Sequence, residues 1–212
     1  TIILTLCILV ASLFAETGKH KIATVYGTGI AFNEHYIVTT GDVARHSEKL
    51  DSIVVIVNGL PIIARVEHSA DTVLDKENNS CMNMAIIQVD NKVLLNACKI
   101  DDNPVTYGPV TVNGYKRDGK EVQAQAFQAK VIPDSTFTNL ANALNVRTPG
   151  GFSGAAISRN GKVIGMSFGN STSNPNVSFF YNGILLNEYI LHQNRPTTTD
   201  ISTCTYQVRS YV

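Results

Sequence analysis

The chain has 212 residues, with 17 Lys and Arg against 17 Asp and Glu, so its formal net charge is zero, and only 16% of its residues are charged. That balance leaves no electrostatic case for nucleic acid or an anionic membrane surface as partner. The length suits a single fold unit, and no CxxC or His/Cys cluster suggests a metal or cofactor.

Residues 2–15 form a short apolar run ending at Ala15, before Glu16. The run reads as the hydrophobic part of a secretory signal peptide. It is shorter than the roughly 20 residues needed to span a bilayer, so no membrane span is expected after its removal. Cys7 lies inside the run without the small residues of a lipoprotein site. Export allows disulfides, and Cys81, Cys98 and Cys204 then admit one pair and a free thiol, or no pair. A bridge from Cys204 to Cys81 or Cys98 would tie the tail to the rest of the chain.

Short segments rich in Val, Ile, Thr, Phe and Tyr follow, separated by Gly, Asn, Asp and Pro. They are Ile22–Tyr26, Tyr36–Thr40, Ser52–Val57, Ile62–Glu67, Ala85–Val89, Gly108–Asn113, Val122–Ile132, Leu144–Arg147, Ala155–Ser158, Lys162–Phe168 and Val177–Tyr181. Each suits a half-buried strand. Asn160-Gly161 marks a hairpin between two of them. Asp71–Asn79 reads as a polar surface loop. Ile184–Gln193 reads as the one clear helix, with Ile184, Leu185, Tyr189 and Ile190 on its apolar side. Residues 194–212 read as a linker followed by a strand-like tail. Many short strands with turn signals predict an all-β sandwich or barrel. Asn78, Asn170 and Asn176 head Asn-x-Ser/Thr triplets, which matter only in a host that glycosylates them.

Three segments carry a resemblance. Gly27-Thr28-Gly29-Ile30-Ala31-Phe32 with Tyr36-Ile37-Val38-Thr39-Thr40-Gly41-Asp42-Val43 is similar to the first strands and histidine turn of HtrA-type, trypsin-like serine proteases. Asn83-Met84-Ala85-Ile86-Ile87-Gln88-Val89-Asp90 resembles their aspartate strand. Gly151-Phe152-Ser153-Gly154-Ala155, with the strand that follows, resembles their serine-nucleophile segment. The match spans roughly residues 22–193. It implies two six-stranded antiparallel β-barrels with a C-terminal helix, residues 16–193 forming the domain, with the boundary between barrels near 100–108. Such chains often continue into a peptide-binding PDZ domain, and none is present in these residues.

Carried over residue by residue, the resemblance places Ser153 as the serine, Asp42 at the histidine position and Asn83 at the aspartate position. Serine needs a base within hydrogen-bond reach to take its proton, and in this family a histidine takes it and then protonates the leaving amine. A carboxylate, with an ordinary pKa near 3.9, is a weak base with no proton to donate at neutral pH. Losing the aspartate partner alone costs such an enzyme about 10⁴ in kcat. The backbone N–H groups of Gly151 and Ser153 stand where the family forms its oxyanion hole. Ser167-Phe168-Gly169 resembles the edge strand that pairs with substrate, and Phe179, Phe180 and Tyr181 fill the same region. His46 would have to reach about 6 Å, one helical turn, to replace the missing base. His20, His35, His68 and His192 read as surface residues.

The reading is a catalytically inactive, exported protease-fold protein that binds or scaffolds other proteins. In a bacterium it would be periplasmic. Its partners would be other envelope proteins, and itself as an oligomer. A protease-like scaffold of the flagellar motor is one such assembly that the resemblance includes. The alternatives are a peptide-binding chaperone or decoy using the groove, and a weak serine peptidase, including an acid-type Asp42–Ser153 pair that would need Asp42 buried.

Overall fold

The computed structural model describes residues 24–44, 53–70, 73–75, 80–81, 83–103, 105–119, 121–133, 141–190 and 205–211. In chain order the elements are β1 (Thr24–Ala31), β2 (Tyr36–Thr39), the helical turn α1 (Gly41–Ala44), β3 (Ile53–Val57), β4 (Leu60–Ala70), β5 (Val73–Asp75), β6 (Ser80–Cys81) and β7 (Met84–Val89). Then come β8 (Gly108–Asp118), β9 (Glu121–Ile132), β10 (Ala141–Leu144), β11 (Ala156–Arg159), β12 (Lys162–Asn170), β13 (Ser178–Asn182), helix α2 (Gly183–Tyr189) and β14 (Thr205–Tyr211).

They close into two six-stranded antiparallel barrels, in the orders β1-β14-β3-β4-β7-β2 and β10-β13-β12-β11-β8-β9. The expected all-β double barrel is therefore present. Alternation builds its walls: Ile53, Val55 and Val57 of β3 point inward while Val54 and Ile56 do not, the period-2 rule of a strand with one buried face. Asn160 and Gly161 both take positive φ, 51° and 71°, as a tight hairpin turn requires. Asn58 and Gly59 do the same between β3 and β4, at 51° and 79°.

One apolar cluster fills each barrel, around Val55 and Ile87 in the first and around Phe152 and Phe180 in the second. A third, including Phe32, Met84, Met166 and Leu186, joins the barrels and α2. The connection between barrels is stitched to both. Cys98 N–H donates to the Ala31 carbonyl at 2.8 Å and Asp101 N–H to the Val163 carbonyl at 2.7 Å.

Several sequence expectations change. β14 is a stave of the first barrel, paired with β1 from Ile30↔Thr205 to Thr24↔Tyr211 and with β3 from Ile56↔Gln207 to Ile53↔Ser210. The tail is thus part of the fold and not an appendage to it. The loop expected over Asp71–Asn79 contains β5, which pairs with β6. The strand expected at Leu144–Arg147 is Ala141–Leu144. It ends there because the Asn145 side chain turns to accept Lys130 N–H at 2.8 Å. The helix expected from Ile184 to Gln193 spans Gly183–Tyr189, N-capped by Asn182, whose side chain accepts Leu185 N–H. Its buried positions are Gly183, Leu185, Leu186 and Asn187, and Ile184 is exposed. Among the described residues no helix is long and apolar enough to cross a membrane. The expected leader, residues 2–15, and the linker at 194–204 lie outside the described residues.

Candidate functional site

Asp42 lies on α1 at the end of β2, and Asn83 immediately precedes β7. The two make a reciprocal pair: Asp42 N–H donates to Asn83 Oδ1 at 2.8 Å, and Asn83 Nδ2 donates to Asp42 Oδ1 at 2.8 Å. A backbone N–H can only donate and a carboxylate only accept, so this network fixes the amide's orientation. Gly41 allows the approach, since a Cβ there would lie 2.7 Å from Asn83 Oδ1. The Tyr181 hydroxyl accepts Asn83 N–H at 2.9 Å and ties the pair to the second barrel.

Ser153 stands on a turn that two glycines make possible. Gly151 has φ +91° and a Cβ there would meet the Tyr115 carbonyl oxygen at 2.4 Å; Gly154 has φ +87° and would meet the Thr28 carbonyl oxygen at 1.8 Å. The left-handed backbone and the lack of space both demand glycine. Phe152 anchors the turn, fully buried and 5.4 Å from the Phe127 ring. Thr28 holds it from the first barrel: its N–H donates to the Ser153 carbonyl at 2.8 Å and its hydroxyl to the Gly151 carbonyl at 3.0 Å. A Cβ on Gly27 would be 2.4 Å from Val43 Cγ2 and 3.1 Å from the Ser153 carbonyl oxygen, so α1 and the serine turn close on the same residue of β1.

The structure therefore brings Asp42 and Asn83 into contact, and α1 and the serine turn both approach Gly27. Yet Asp42 and Ser153 share no hydrogen bond. Among the described residues neither the Ser153 hydroxyl nor the N–H groups of Gly151 and Ser153 have a hydrogen-bond partner.

Of the groove residues, Ser167 is buried with its hydroxyl unpaired. Phe168 stacks on Tyr181 at 4.2 Å and on Phe179 at 6.2 Å. Ser167 N–H donates to the Ala155 carbonyl and its carbonyl accepts from Gly154 N–H, at 2.9 and 2.8 Å; beyond it, among the described residues, β12 pairs with no strand on that side. Asn170 ties the end of β12 to Thr148, just before the serine turn: its amide accepts from the N–H and hydroxyl of Thr148 and donates to the Thr148 carbonyl, at 2.9, 3.1 and 3.1 Å. The triplet at Asn170 thus has its amide fully engaged, whereas Asn176 is exposed.

Sequence reasoning missed Thr28, Tyr181 and Asn170 as parts of this site. Thr28 had a signal, lying between the two glycines of the first motif. Tyr181 read as core filling, and its role shows only when the barrels are placed together. Of the histidines, His35 binds the Val93 carbonyl at 3.2 Å, on a loop of the first barrel. His20, His46 and His192 lie outside the described residues, as does the side chain of His68. Among the described residues no group of three or more His, Cys, Asp or Glu could hold a metal. Cys98 is disulfide-bonded; the side chains of Cys81 and Cys204 lie outside the described residues.

The sequence matches no protein-family model and no curated protein. Solved structures do match. The chain has a trypsin-like fold. The inactive form of the Rv3671c protease of M. tuberculosis superposes with a TM-score of 0.62 at 18% identity, over 82% of this chain and 88% of that one. An inactivated protease paralogue of the scabies mite gives 0.57 at 13% identity, over 81% and 94%. Human heparin binding protein gives 0.54 at 13% identity, over 83% and 93%. At these identities the likeness is one of fold.

Proposed function

We propose that this chain is a catalytically inactive protease-fold protein that binds other proteins. The observation that carries the reading is the reciprocal Asp42–Asn83 pair. It occupies the base and orienting positions with a carboxylate and an amide, each satisfying the other. One Asp42 oxygen is committed to Asn83, and among the described residues no group stands ready to protonate a leaving amine and Ser153 has no hydrogen-bonded base. What remains is recognition chemistry: unpaired N–H groups on the serine turn and an open side of β12, onto which an extended peptide can add as a strand.

A fluorophosphonate serine probe tests this directly. The expected result is no difference in labelling between the native chain and Ser153→Ala across pH. Labelling that depends on Ser153 would restore the peptidase reading.

A chaperone or decoy that holds peptide in the groove is the second reading, favoured by the open side of β12. Excess peptide competing partner proteins off would separate it from a scaffold that binds through its outer faces. Export rests on the apolar run at residues 2–15, and a periplasmic assembly such as the flagellar motor rests on the HtrA resemblance. Fractionation of a tagged full chain checks the first, and co-purification with motor components the second.

A further inference from the structure

The hairpin of β8 and β9 carries a feature that the serine site does not use. β8 pairs with β9 along its whole length, from Gly108↔Val131 to Asp118↔Glu121. On its other side, among the described residues, β9 is joined only at its end, where Val131 and Ile132 pair with Leu144 and Ala143 of β10. Lys130 marks where that edge closes: its N–H donates to Asn145 Oδ1 and its carbonyl accepts from Asn145 N–H. Backbone groups point to alternate edges along a strand. Val122, Ala124, Ala126 and Gln128 therefore present N–H and C=O toward the same open side as Lys130. Among the described residues none of these backbone groups has a partner.

Folded proteins blunt such edges with charge, proline, glycine bulges or a covering element. Val122-Gln123-Ala124-Gln125-Ala126-Phe127-Gln128 has no charge, proline or glycine, and Gln123 to Ala126 are exposed. An edge left in this condition is a template for another strand. Its sequence also fits itself. In an antiparallel two-fold arrangement centred on Gln125, Val122 faces Gln128 of the second copy and Ala124 faces Ala126, small against small at the axis. All four outward residues on each strand are then paired, and the contact is self-complementary and closes without leaving a further edge. The chain's zero net charge adds no repulsion between copies.

We propose that β9 pairs with β9 of a second copy of this chain, making a dimer with one continuous sheet across the two second barrels. The proposal stands apart from the serine site and does not depend on its inactivity.

Sedimentation velocity of the purified full chain over a wide concentration range, with cysteine cross-linking, tests it. The expected result is a dimer in the native chain and a monomer in Ala126→Pro, which lacks the outward N–H. Ala124→Lys should also be monomeric, since it sets two like charges beside the axis. Circular dichroism and thermal melting establish that each variant is folded, and the lysine variant carries the test if the proline variant is not. Gln125→Cys should form a disulfide-linked dimer absent from the native chain under the same oxidant, because facing residues of a non-hydrogen-bonded pair have Cα atoms about 4.5 Å apart, inside the disulfide range of roughly 4.4–6.8 Å. Gln123→Cys should not, because its two copies would stand about 14 Å apart along the strands. A native chain monomeric at every concentration overturns the proposal. So does a dimer that persists in both folded edge variants, or cross-linking as complete at position 123 as at 125.

Discussion

Asn83→Asp, alone and combined with Asp42→His, probes the pair at the centre of the site. The single change replaces the amide nitrogen that donates to Asp42 at 2.8 Å with an oxygen. Two like charges at that separation repel by about 1.5 kcal/mol in bulk water and about 6 kcal/mol at an effective dielectric of 20. The cost has a ceiling, because one carboxyl can hold its proton instead. From an ordinary pKa near 3.9 up to pH 7, that costs about 4 kcal/mol. The half-buried setting and a lost hydrogen bond of about 1 kcal/mol place the expected destabilisation at about 2–4 kcal/mol at pH 7. The native variant then binds a proton that the unfolded chain has released. Its stability must fall as pH rises from about 4 to 7, and recover on acidification. Asp42→His alone gives the opposite fault. Asn83 Nδ2–H would bond to imidazole Nδ1, leaving the proton on Nε2, the nitrogen that must accept from serine. The double variant corrects both, so it should be more stable than the two single effects summed and should label at Ser153 about 10⁴ faster than Asp42→His. Urea unfolding at pH 4 and 7, with probe-labelling rates, measures all four chains. An Asn83→Asp variant as stable as the native chain at pH 7, or a coupling near zero, would refute the pairing.

Four further outcomes follow from the same structure. Peptide mapping without reduction should recover Cys98 linked to Cys204, because the Tyr206 hydroxyl accepts Asn96 N–H at 2.8 Å and both cysteines lie two residues from those partners along their own segments. Val208→Asp, at a fully buried position of β14, should cost more than about 4 kcal/mol and open the first barrel in chemical denaturation. Burial alone would raise the Asp101 carboxyl, but Asn103 N–H, Asn103 Nδ2 and the Lys162 ammonium together hold it below its ordinary range; Asp101→Asn should therefore cost up to about 1 kcal/mol at pH 7, a difference lost as pH falls below about 3. Burial raises the phenols of Tyr115 and Tyr206, so they should ionise late in an absorbance titration, and their contribution to stability should be lost as pH rises through their native values.

Much of the fold was legible because its signals are local. Alternation at Ile53, Val55 and Val57 marks a strand with one buried face, and Asn160-Gly161 marks a turn, without reference to any distant residue. The serine turn was legible for a similar reason, since Gly151 and Gly154 sit where no side chain fits. β14 was readable as a strand but not as a stave. Its partner β1 is some 180 residues earlier in the chain (Thr24 faces Tyr211), and nothing local encodes so long a closure. β10 was misplaced because Ala141, Asn142 and Ala143 have weak strand propensity, while burial of Ala141, Ala143 and Leu144 in the barrel decides the outcome.

The site itself was legible only as a loss. In the sequence, Asp42 and Asn83 are two positions at which a resemblance fails. In the structure they are one unit, and that changes the argument about its origin. A half-buried carboxylate beside a residue with no donor would cost about 1–3 kcal/mol for its unsatisfied oxygen, and an aspartate at position 83 would cost more through repulsion. The amide removes both costs at once: Oδ1 keeps the bond to the Asp42 backbone, and Nδ2 supplies the donor that the carboxylate needs. The side-chain bond of the pair runs from Asn83 Nδ2 to Asp42 Oδ1, with position 83 as donor and position 42 as acceptor. Tyr181 holds Asn83 from the other barrel through the backbone N–H, a contact that does not depend on the side chain at position 83. Neither residue is tolerable opposite the family's original partner, because Asp42 against an aspartate repels and a histidine against Asn83 takes the wrong tautomer. The two positions therefore constrain each other. On the proposed reading, the Asp–Asn combination holds these two positions together without the proton transfer for which the cleft serves in proteases.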